Sequence, residues 1–172
     1  MRLLKIILLT ATMMVPTFAS AEHAVGMSAG ITNGIGITYR NINEDTRLGI
    51  KVTGIPVVAE DSGFLSGGIQ GMYLLSMNRT GKAFITFGAG IIHNWENRDE
   101  GLGDEEEVGT LIGVGPGIGF EFQVARDVGL SLELPIAAIF GAESVTENNV
   151  NKVKLGLRGI LPIPGASLVY IW

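Results

Sequence analysis

A histidine and a few carboxylates are the side chains of this chain that could perform acid–base chemistry. His93 could serve as a general base, which would need a nucleophile and an acidic group within hydrogen-bond reach. Ser144 and the acidic residues are the candidate partners. Glu121 and Glu133 could also form a paired-carboxylate site.

An acidic run could bind a metal ion. Glu96–Glu107 contains seven Asp and Glu residues, whose oxygens are the ligands that Ca²⁺ prefers. Its spacing does not match an EF-hand loop, because Val108 stands at the acidic twelfth position when the count starts at Asn97. A solvated acidic loop is therefore favoured, and no metal and no cofactor are expected. The alternating glycines of Gly113–Gly119 precede no helix, so they do not predict a phosphate-binding loop.

The first 21 residues have the pattern of a secretory signal peptide. Arg2 and Lys5 supply positive charge, an apolar run follows, and Ala19-Ser20-Ala21 matches the small-residue cleavage pattern. A membrane anchor is the alternative, but the run is shorter than the roughly 20 residues that a spanning helix needs. We therefore expect removal of 1–21, which leaves 22–172 as one exported domain.

Charge and composition exclude several classes of function. Without Arg2 and Lys5, 10 Lys and Arg face 17 Asp and Glu, a formal net charge of −7. This balance argues against nucleic acid, whose phosphates need clustered Lys and Arg. The chain has no cysteine, which excludes disulfides and thiolate metal sites. Stability must then come from packing and backbone hydrogen bonds.

Alternation with a period of two predicts β-strands along the whole mature chain. In residues 111–124 the even positions are almost all apolar, and the odd positions are mostly glycine. The pattern repeats in 128–140 after a tight turn at Ala125-Arg126-Asp127, which predicts a hairpin. Further alternating segments bring the total to about eight strands: 24–40, 47–58, 65–77, 83–94 and 152–172.

Two of these segments leave alternatives open. Residues 24–40 could form one strand with a bulge at Asn33-Gly34, or two strands with a hairpin turn at that dipeptide. Residues 152–172 could form one strand kinked at Pro162-Ile163-Pro164-Gly165, or two strands.

The glycine-rich face favours a membrane barrel over a soluble sandwich. The second face of a soluble sheet is wet and usually polar, and glycine makes a poor strand surface. In a small membrane barrel the outer face is apolar, and the narrow interior needs small and polar residues. We therefore predict an all-β fold: a single antiparallel up-and-down transmembrane β-barrel of about eight strands.

Isolated charges on the glycine-rich face should pair inside the lumen, because an unpaired buried charge is costly. The hairpin register places Glu121 opposite Ser131 rather than Glu133, so these carboxylates are expected to neutralise cations rather than form a catalytic pair. The predicted lumen charge network comprises Arg40, Lys51, Glu121, Glu133, Lys154 and Arg158.

Connection lengths agree with outer-membrane topology, in which periplasmic turns are short and external loops are long. The predicted periplasmic turns are Asn41–Thr46, Asn78–Gly81 and Ala125–Asp127. The predicted external loops are Ala59–Phe64, Glu96–Gly109 and Gly141–Asn151. Two features count against the topology: the external turn at Asn33-Gly34 is short, and the second strand, 35–41, falls below the 9–11 residues that a tilted strand needs.

Aromatic residues fall near predicted strand ends, where amphipathic rings favour the membrane interface. His93, beside such a ring, is interpreted as an interfacial histidine, and His23 as part of a tether after the leader. Scattered packing aromatics are the alternative to a girdle. The predicted girdle comprises Tyr39, Tyr73, Phe122, Tyr170 and Trp172 toward the periplasm, with Trp95 and Phe140 toward the outside.

The ending Leu168-Val169-Tyr170-Ile171-Trp172 resembles the C-terminal signal of outer-membrane β-barrels, with Leu168, Tyr170 and Trp172 at the alternating positions. Together with the leader and the glycine-rich strands, it makes 22–172 resemble the small eight-stranded barrels of the outer membrane protein A membrane-domain type. The resemblance implies insertion by the barrel assembly machinery of a Gram-negative-type bacterium, and contact with outer-membrane lipid and lipopolysaccharide. Outer-membrane lipid A deacylases carry a serine two residues from the histidine, and Trp95 occupies that position here.

Three hypotheses follow. The first is a monomeric, non-enzymatic outer-membrane barrel with a largely filled lumen, serving structure, surface interaction or limited, porin-like permeation. The second is an enzyme that modifies outer-membrane lipid. The third is a secreted soluble β-barrel that binds a small apolar ligand.

Overall fold

The computed structural model describes the backbone of residues 21–58, 62–78, 80–100, 103–147 and 150–172. It describes the side chains of 21–58, 62–78, 80–95, 109–142 and 155–172. The predicted signal peptide, apart from Ala21, lies outside the described residues.

Nine strands follow one another along the chain: β1 Ala21–Gly30, β2 Gly34–Asn43, β3 Leu48–Val58, β4 Ser62–Asn78, β5 Gly81–Glu100, β6 Gly103–Ala125, β7 Val128–Glu147, β8 Val150–Pro162 and β9 Gly165–Ile171. Consecutive strands from β1 to β8 pair antiparallel, and β9 pairs with both β7 and β1. These pairings close the sheet on itself. No helix in the described part of the chain is long and apolar enough to cross a membrane.

Strands β8 and β9 share one position in the wall. β9 pairs with the first six residues of β7, from Val128 to Glu133, and β8 pairs with the rest of β7 from Ile136 onward. The interruption at Ile163-Pro164 separates them, since proline cannot donate a ladder hydrogen bond. The barrel therefore has eight strand positions, which confirms the predicted all-β, antiparallel up-and-down fold.

The first ambiguous segment also forms two strands. β1 and β2 are joined by a turn at residues 31–33, and Gly34 has φ 78°, a conformation that L side chains rarely adopt. β2 has 10 residues, so the predicted limit of 35–41 for the second strand is too short. Its last three residues, Asn41, Ile42 and Asn43, were predicted as turn, although they continue the ladder with β1 and β3.

Two of the predicted external loops are wrong. The segment Glu96–Gly109 is paired strand through Glu100 on β5 and from Gly103 on β6. The segment Gly141–Asn151 is likewise paired strand through Glu147 and from Val150. Polar residues interrupt the apolar alternation there, but the backbone hydrogen bonds of an antiparallel ladder do not depend on side-chain polarity. In the third loop, Ala59–Phe64, β3 and β4 leave only residues 59–61 between them, outside the described residues.

The three predicted periplasmic turns are short and lie at one end of the barrel, which we call the short-turn end. The opposite end, toward which β4 to β8 extend, is called the long-strand end. At the short-turn end, the Asn78 side-chain oxygen accepts hydrogen bonds from the backbone of Thr80 and Gly81. Arg47 closes the β2–β3 turn with φ 60°.

Alternation sorts the side chains of each strand between the lumen and the outside. In β7, Ser131, Glu133 and Pro135 are buried, whereas the intervening leucines are exposed. Large apolar residues are exposed on the outer face of every strand from β1 to β9. The barrel thus places charges inside and apolar side chains outside, the reverse of a soluble protein.

The two chain ends of the described barrel meet at the closing seam. The backbone groups of His23 and Trp172 exchange hydrogen bonds at 3.2 and 2.9 Å. The His23 ring stacks on Trp172 with centroids 6.0 Å apart, and its Nδ1 lies 2.8 Å from the Tyr39 hydroxyl. His23 is therefore part of the barrel wall rather than of a tether.

Replacing an inward glycine should block folding more than replacing an outward one. A Cβ at Gly119 would lie 2.6 Å from Phe84 Cζ, whereas a Cβ at Gly71 on the outer face would meet only Phe87 O, at 3.8 Å. Overpacking typically costs about 1–3 kcal/mol. We expect Gly119→Val to lower the urea concentration at the midpoint of unfolding, and Gly71→Val to leave this midpoint near that of the parent protein. Unfolding is measured by the change in gel mobility of unboiled samples. Equal midpoints for the two variants would contradict this packing.

Candidate functional site: the barrel lumen

Two ion-paired groups and two apolar clusters fill the lumen. The first apolar cluster, Ile42, Met72, Leu74 and Phe84, comes from residues near the short-turn end. The second, Ile31, Ala137 and Ile139, comes from farther along the barrel, and Ile92 and Ile163 pack against it.

The first ion-paired group, called the Arg40 group, joins two cations to two carboxylates. Both terminal nitrogens of Arg40 donate to Glu121, and Arg40 Nη2 also donates to Glu22 Oε1 at 2.8 Å. Lys82 contacts both carboxylates. The Ser131 hydroxyl donates to Glu121 Oε2 at 2.8 Å. Arg40 is 2% exposed and Glu121 3%, whereas Lys82 and Glu22 are partly buried, and the four charges make the group formally neutral.

The second ion-paired group, called the Lys51 group, is built on a single pair. Lys51 contacts Glu133, whose second oxygen accepts a hydrogen bond from Gln70 Nε2 at 2.8 Å. The Ser167 hydroxyl lies 3.5 Å from Lys51 Nζ and 2.9 Å from the hydroxyl of Ser28. Hydrogen bonds from neighbouring strands therefore support the buried pair, as a buried charge requires.

Four of the predicted lumen charges come together in these two groups. Glu121 lies opposite Ser131 in the β6–β7 register, as predicted, and each carboxylate contacts its own cation. Lys154 lies outside the described side chains. Arg158 is exposed, and its Nε would lie 2.5 Å from a Cβ on Gly141, at the long-strand end.

Two members of the Arg40 group are absent from the predicted network. Lys82 precedes Phe84 and Thr86 on the inward face of β5, so alternation extended by one step would have found it. Glu22 gave no such signal, because it follows the predicted leader directly and no alternation precedes it. Gln70 lies on the inward face of β4, and its hydrogen bond to Glu133 joins strands distant in sequence, which alternation cannot reveal.

The turn between β1 and β2, residues 31–33, bends into the lumen. Ile31, Thr32 and Asn33 are all buried, and Asn33 Nδ2 donates to Ser28 Oγ at 3.0 Å. The Ser66 hydroxyl accepts a hydrogen bond from the Ile35 backbone at 2.8 Å. The turn predicted at Asn33-Gly34 is thus an internal plug rather than an external loop.

Glycines on the facing strands make room for this turn. A Cβ at Gly88 would lie 2.6 Å from Thr32 O, and a Cβ at Gly90 would lie 2.5 Å from Ile31 O. A Cβ at Gly113 would lie 2.8 Å from the same Ile31 oxygen. Part of the glycine-rich face is therefore required by a close backbone approach across the lumen, which strand alternation alone does not reveal.

The predicted girdle residues lie on the outer surface or at its edge. Tyr73, Phe122, Tyr170 and Trp172 are exposed, and the last two stack with centroids 6.3 Å apart. The remaining three, Tyr39, Trp95 and Phe140, are half-buried.

His93 contacts a hydroxyl on the neighbouring strand. Its Nδ1 lies 2.8 Å from Thr110 Oγ1, and its ring centroid lies 5.4 Å from that of Trp95. Ser144 lies outside the described side chains. No cluster of three or more metal-ligating side chains occurs among the residues whose side chains are described.

Comparison with known proteins adds little to this geometry. No family model matches the chain, and no curated protein matches it. Among solved structures, the crystal structure of Neisserial surface protein A matches with 17% identity and a TM-score of 0.34, covering 88% of this chain and 91% of that chain. The barrel assignment rests on the strand pairing of this chain itself.

Removing one partner of the buried Lys51–Glu133 pair should destabilise the barrel. Breaking such a pair costs about 3–5 kcal/mol, because it leaves an uncompensated buried charge. We expect Lys51→Met to lower the free energy of unfolding by roughly that amount, measured by urea titration in detergent with tryptophan fluorescence. The double variant Lys51→Met/Glu133→Gln should recover most of the loss.

The control is Arg126→Met, which removes an exposed cation from the β6–β7 turn and should change stability little. A loss as large in Arg126→Met as in Lys51→Met would assign the effect to net charge rather than to the buried pair.

Proposed function

We propose that this protein is an integral outer-membrane β-barrel with a filled lumen, and that it serves a structural or surface-interaction role. The observation that carries the proposal is the inverted distribution of polarity: buried, paired charges lie inside a wall whose outer side chains are apolar and exposed.

The apolar exterior supports a lipid environment. Contiguous exposed apolar patches on soluble monomers rarely exceed a few hundred Å², whereas here the apolar outer face runs around the barrel. Wherever neighbouring strands pair, the sheet also satisfies its ladder hydrogen bonds internally, as hydrocarbon requires, and the unpaired edges of β3 and β8 lie toward the long-strand end. Each of the eight wall positions contributes at least one exposed apolar residue to this outer face, for example Met27, Ile37, Ile50, Ile69, Phe87, Ile118, Leu134 and Leu168.

The contents of the lumen support a non-conducting barrel. Arg40, Glu121, Lys51 and Glu133 bridge the interior and neutralise one another. The turn 31–33 and the apolar clusters occupy further space. Limited permeation, the third role considered for this barrel, is therefore less well supported than a structural or surface role.

The outer membrane is proposed as the location because the sequence combines a signal-peptide pattern with barrel strands that end in alternating aromatic and apolar residues. Assembly by the barrel assembly machinery, a monomeric state, and contact with outer-membrane lipid and lipopolysaccharide belong to the same proposal.

The first test is fractionation of cells that express the full chain. We expect the protein in the outer-membrane fraction, resistant to urea extraction, with a gel mobility in SDS that shifts on boiling. Recovery in the periplasm without detergent, and with no mobility shift, would instead support the soluble apolar-ligand carrier and refute the membrane proposal.

The second test is conductance in a planar lipid bilayer. We expect no steady channel current from the purified barrel, because ion pairs and the inward turn fill its lumen. An open general porin reconstituted in the same bilayer serves as the positive control. Stable unitary currents would contradict the filled lumen and favour the permeation role.

A lipid-modifying enzyme is a second candidate, favoured by one observation. The Thr110 hydroxyl lies 2.8 Å from His93 Nδ1, within the range expected for a nucleophile and its base. No carboxylate is hydrogen-bonded to His93 among the residues whose side chains are described, and Trp95 packs on its ring.

Replacing His93 by Ala and Thr110 by Val separates the enzyme from the non-enzymatic barrel. The proposal predicts that lipid A from cells with either variant has the mass spectrum of lipid A from cells with the parent protein. A parent-dependent loss of an acyl group that both variants abolish would establish the enzyme.

A further inference from the structure

The described part of the inner face of β8, residues 155–162, is more open than the lumen wall around the ion pairs. Leu161 lies opposite Ala137 in the β7–β8 register, so the two side chains share the inward face. Ala137 is fully buried, but Leu161 is 53% exposed. Among the described residues, a Cβ at Gly156 would meet no atom within 4 Å, and one at Gly159 would meet only Leu161, at 3.9 Å, apart from its own chain neighbours. Space therefore lies inside the barrel wall next to β8.

A gap beside β8 gives this space a lateral exit. Within the described residues β8 pairs with β7 alone, because β1 ends at Gly30 and the following turn bends into the lumen. Across the gap, the pairing of β2 with β3 stops at Ile37 and Gly54, so residues 55–58 of β3 pair only with β4. Two free strand edges thus flank an opening in the wall toward the long-strand end.

Apolar side chains line the space, which we call the outer groove and define by Val57, Leu111, Gly156, Leu161 and Ile163. Val57, Leu111 and Leu161 are exposed although they belong to the inward face by register. Ile163 packs against the buried cluster around Ala137.

The groove is continuous with the lipid-facing surface. Ile37 and Ile160 are exposed on the outer face beside the two flanking edges, so the apolar lining runs from the groove through the gap to the outside. The buried turn 31–33 lies below it and separates it from the charged part of the lumen. An occupant from the bilayer would meet apolar side chains along this path and the cationic Arg158 beside it, whose side chain lies over Gly141 between Leu111 and Gly156.

From these observations, we infer that the outer groove binds an acyl chain of a membrane lipid, which enters sideways between β3 and β8. An acyl chain is apolar, narrow and flexible, which matches the lining and the lateral entry. A strand of a second copy would instead pair its backbone with the free edge of β8. The inference rests on the membrane location proposed above.

Photolabelling locates the acyl chain directly. The full barrel is reconstituted in phosphatidylcholine vesicles containing a phosphatidylcholine with a diazirine on one acyl chain, irradiated, and mapped by peptide mass spectrometry. We expect lipid adducts on Val57, Leu111 or Leu161 in addition to adducts on outward residues such as Phe87. Gly156→Phe should fill the groove and abolish the inner adducts, while the matched outward variant Gly71→Phe should retain them.

The outcomes separate this inference from the proposed function. Adducts on outward residues alone would refute acyl-chain binding in the outer groove but not the membrane location. The absence of all adducts would refute both acyl-chain binding and the membrane location. Inner adducts that persist in Gly156→Phe, with both variants folded by gel mobility, would also overturn the inference. Protein–protein adducts through β8 in place of inner lipid adducts would assign the gap to a second copy.

Discussion

The narrow bore of an eight-stranded barrel is the constraint on which the rest of this structure depends. Eight strands leave an interior just wide enough for side chains, so every inward position must suit the group facing it across the lumen. Gly88, Gly90 and Gly113 accommodate the backbone of turn 31–33. Long inward side chains reach across the lumen, as Arg40 does to Glu121 on the opposite wall. The glycine-rich face and the sparse charges are two consequences of one limit on volume.

The buried ion pairs also restrict how the strands can align. Arg40 on β2 joins Glu121 on β6, and Lys51 on β3 joins Glu133 on β7. A shift of one residue in any of these strands would turn its charge toward the apolar outer face. Because a buried pair often adds little net stability over apolar packing, its clearer effect is to disfavour incorrect registers. The same network closes the passage that would otherwise run through the barrel.

Alternation in the sequence predicted the strands and their faces because side chains point to opposite faces at every second residue, and here one face is apolar while the other is small or polar. The pairing of Glu121 opposite Ser131 followed from the same register. Alternation did not predict the strands within Glu96–Gly109, because this segment is paired strand but its sequence is mostly polar and does not alternate. It also could not reveal the inward turn at 31–33 or the contact between Glu22 and Lys82, since both depend on strands that meet only after the sheet closes.

Single-cysteine labelling along β7 tests the inside-out barrel most directly, since the chain has no cysteine of its own. Cysteines at 131 through 136 would carry nitroxide labels in vesicles, and their accessibility to lipid-soluble oxygen would be compared with that to a water-soluble nickel complex. We expect strict alternation: labels at Leu132, Leu134 and Ile136 are relaxed by oxygen, whereas labels at Ser131, Glu133 and Pro135 are shielded from it. Preferential relaxation of the Leu132, Leu134 and Ile136 labels by the nickel complex would contradict the membrane barrel.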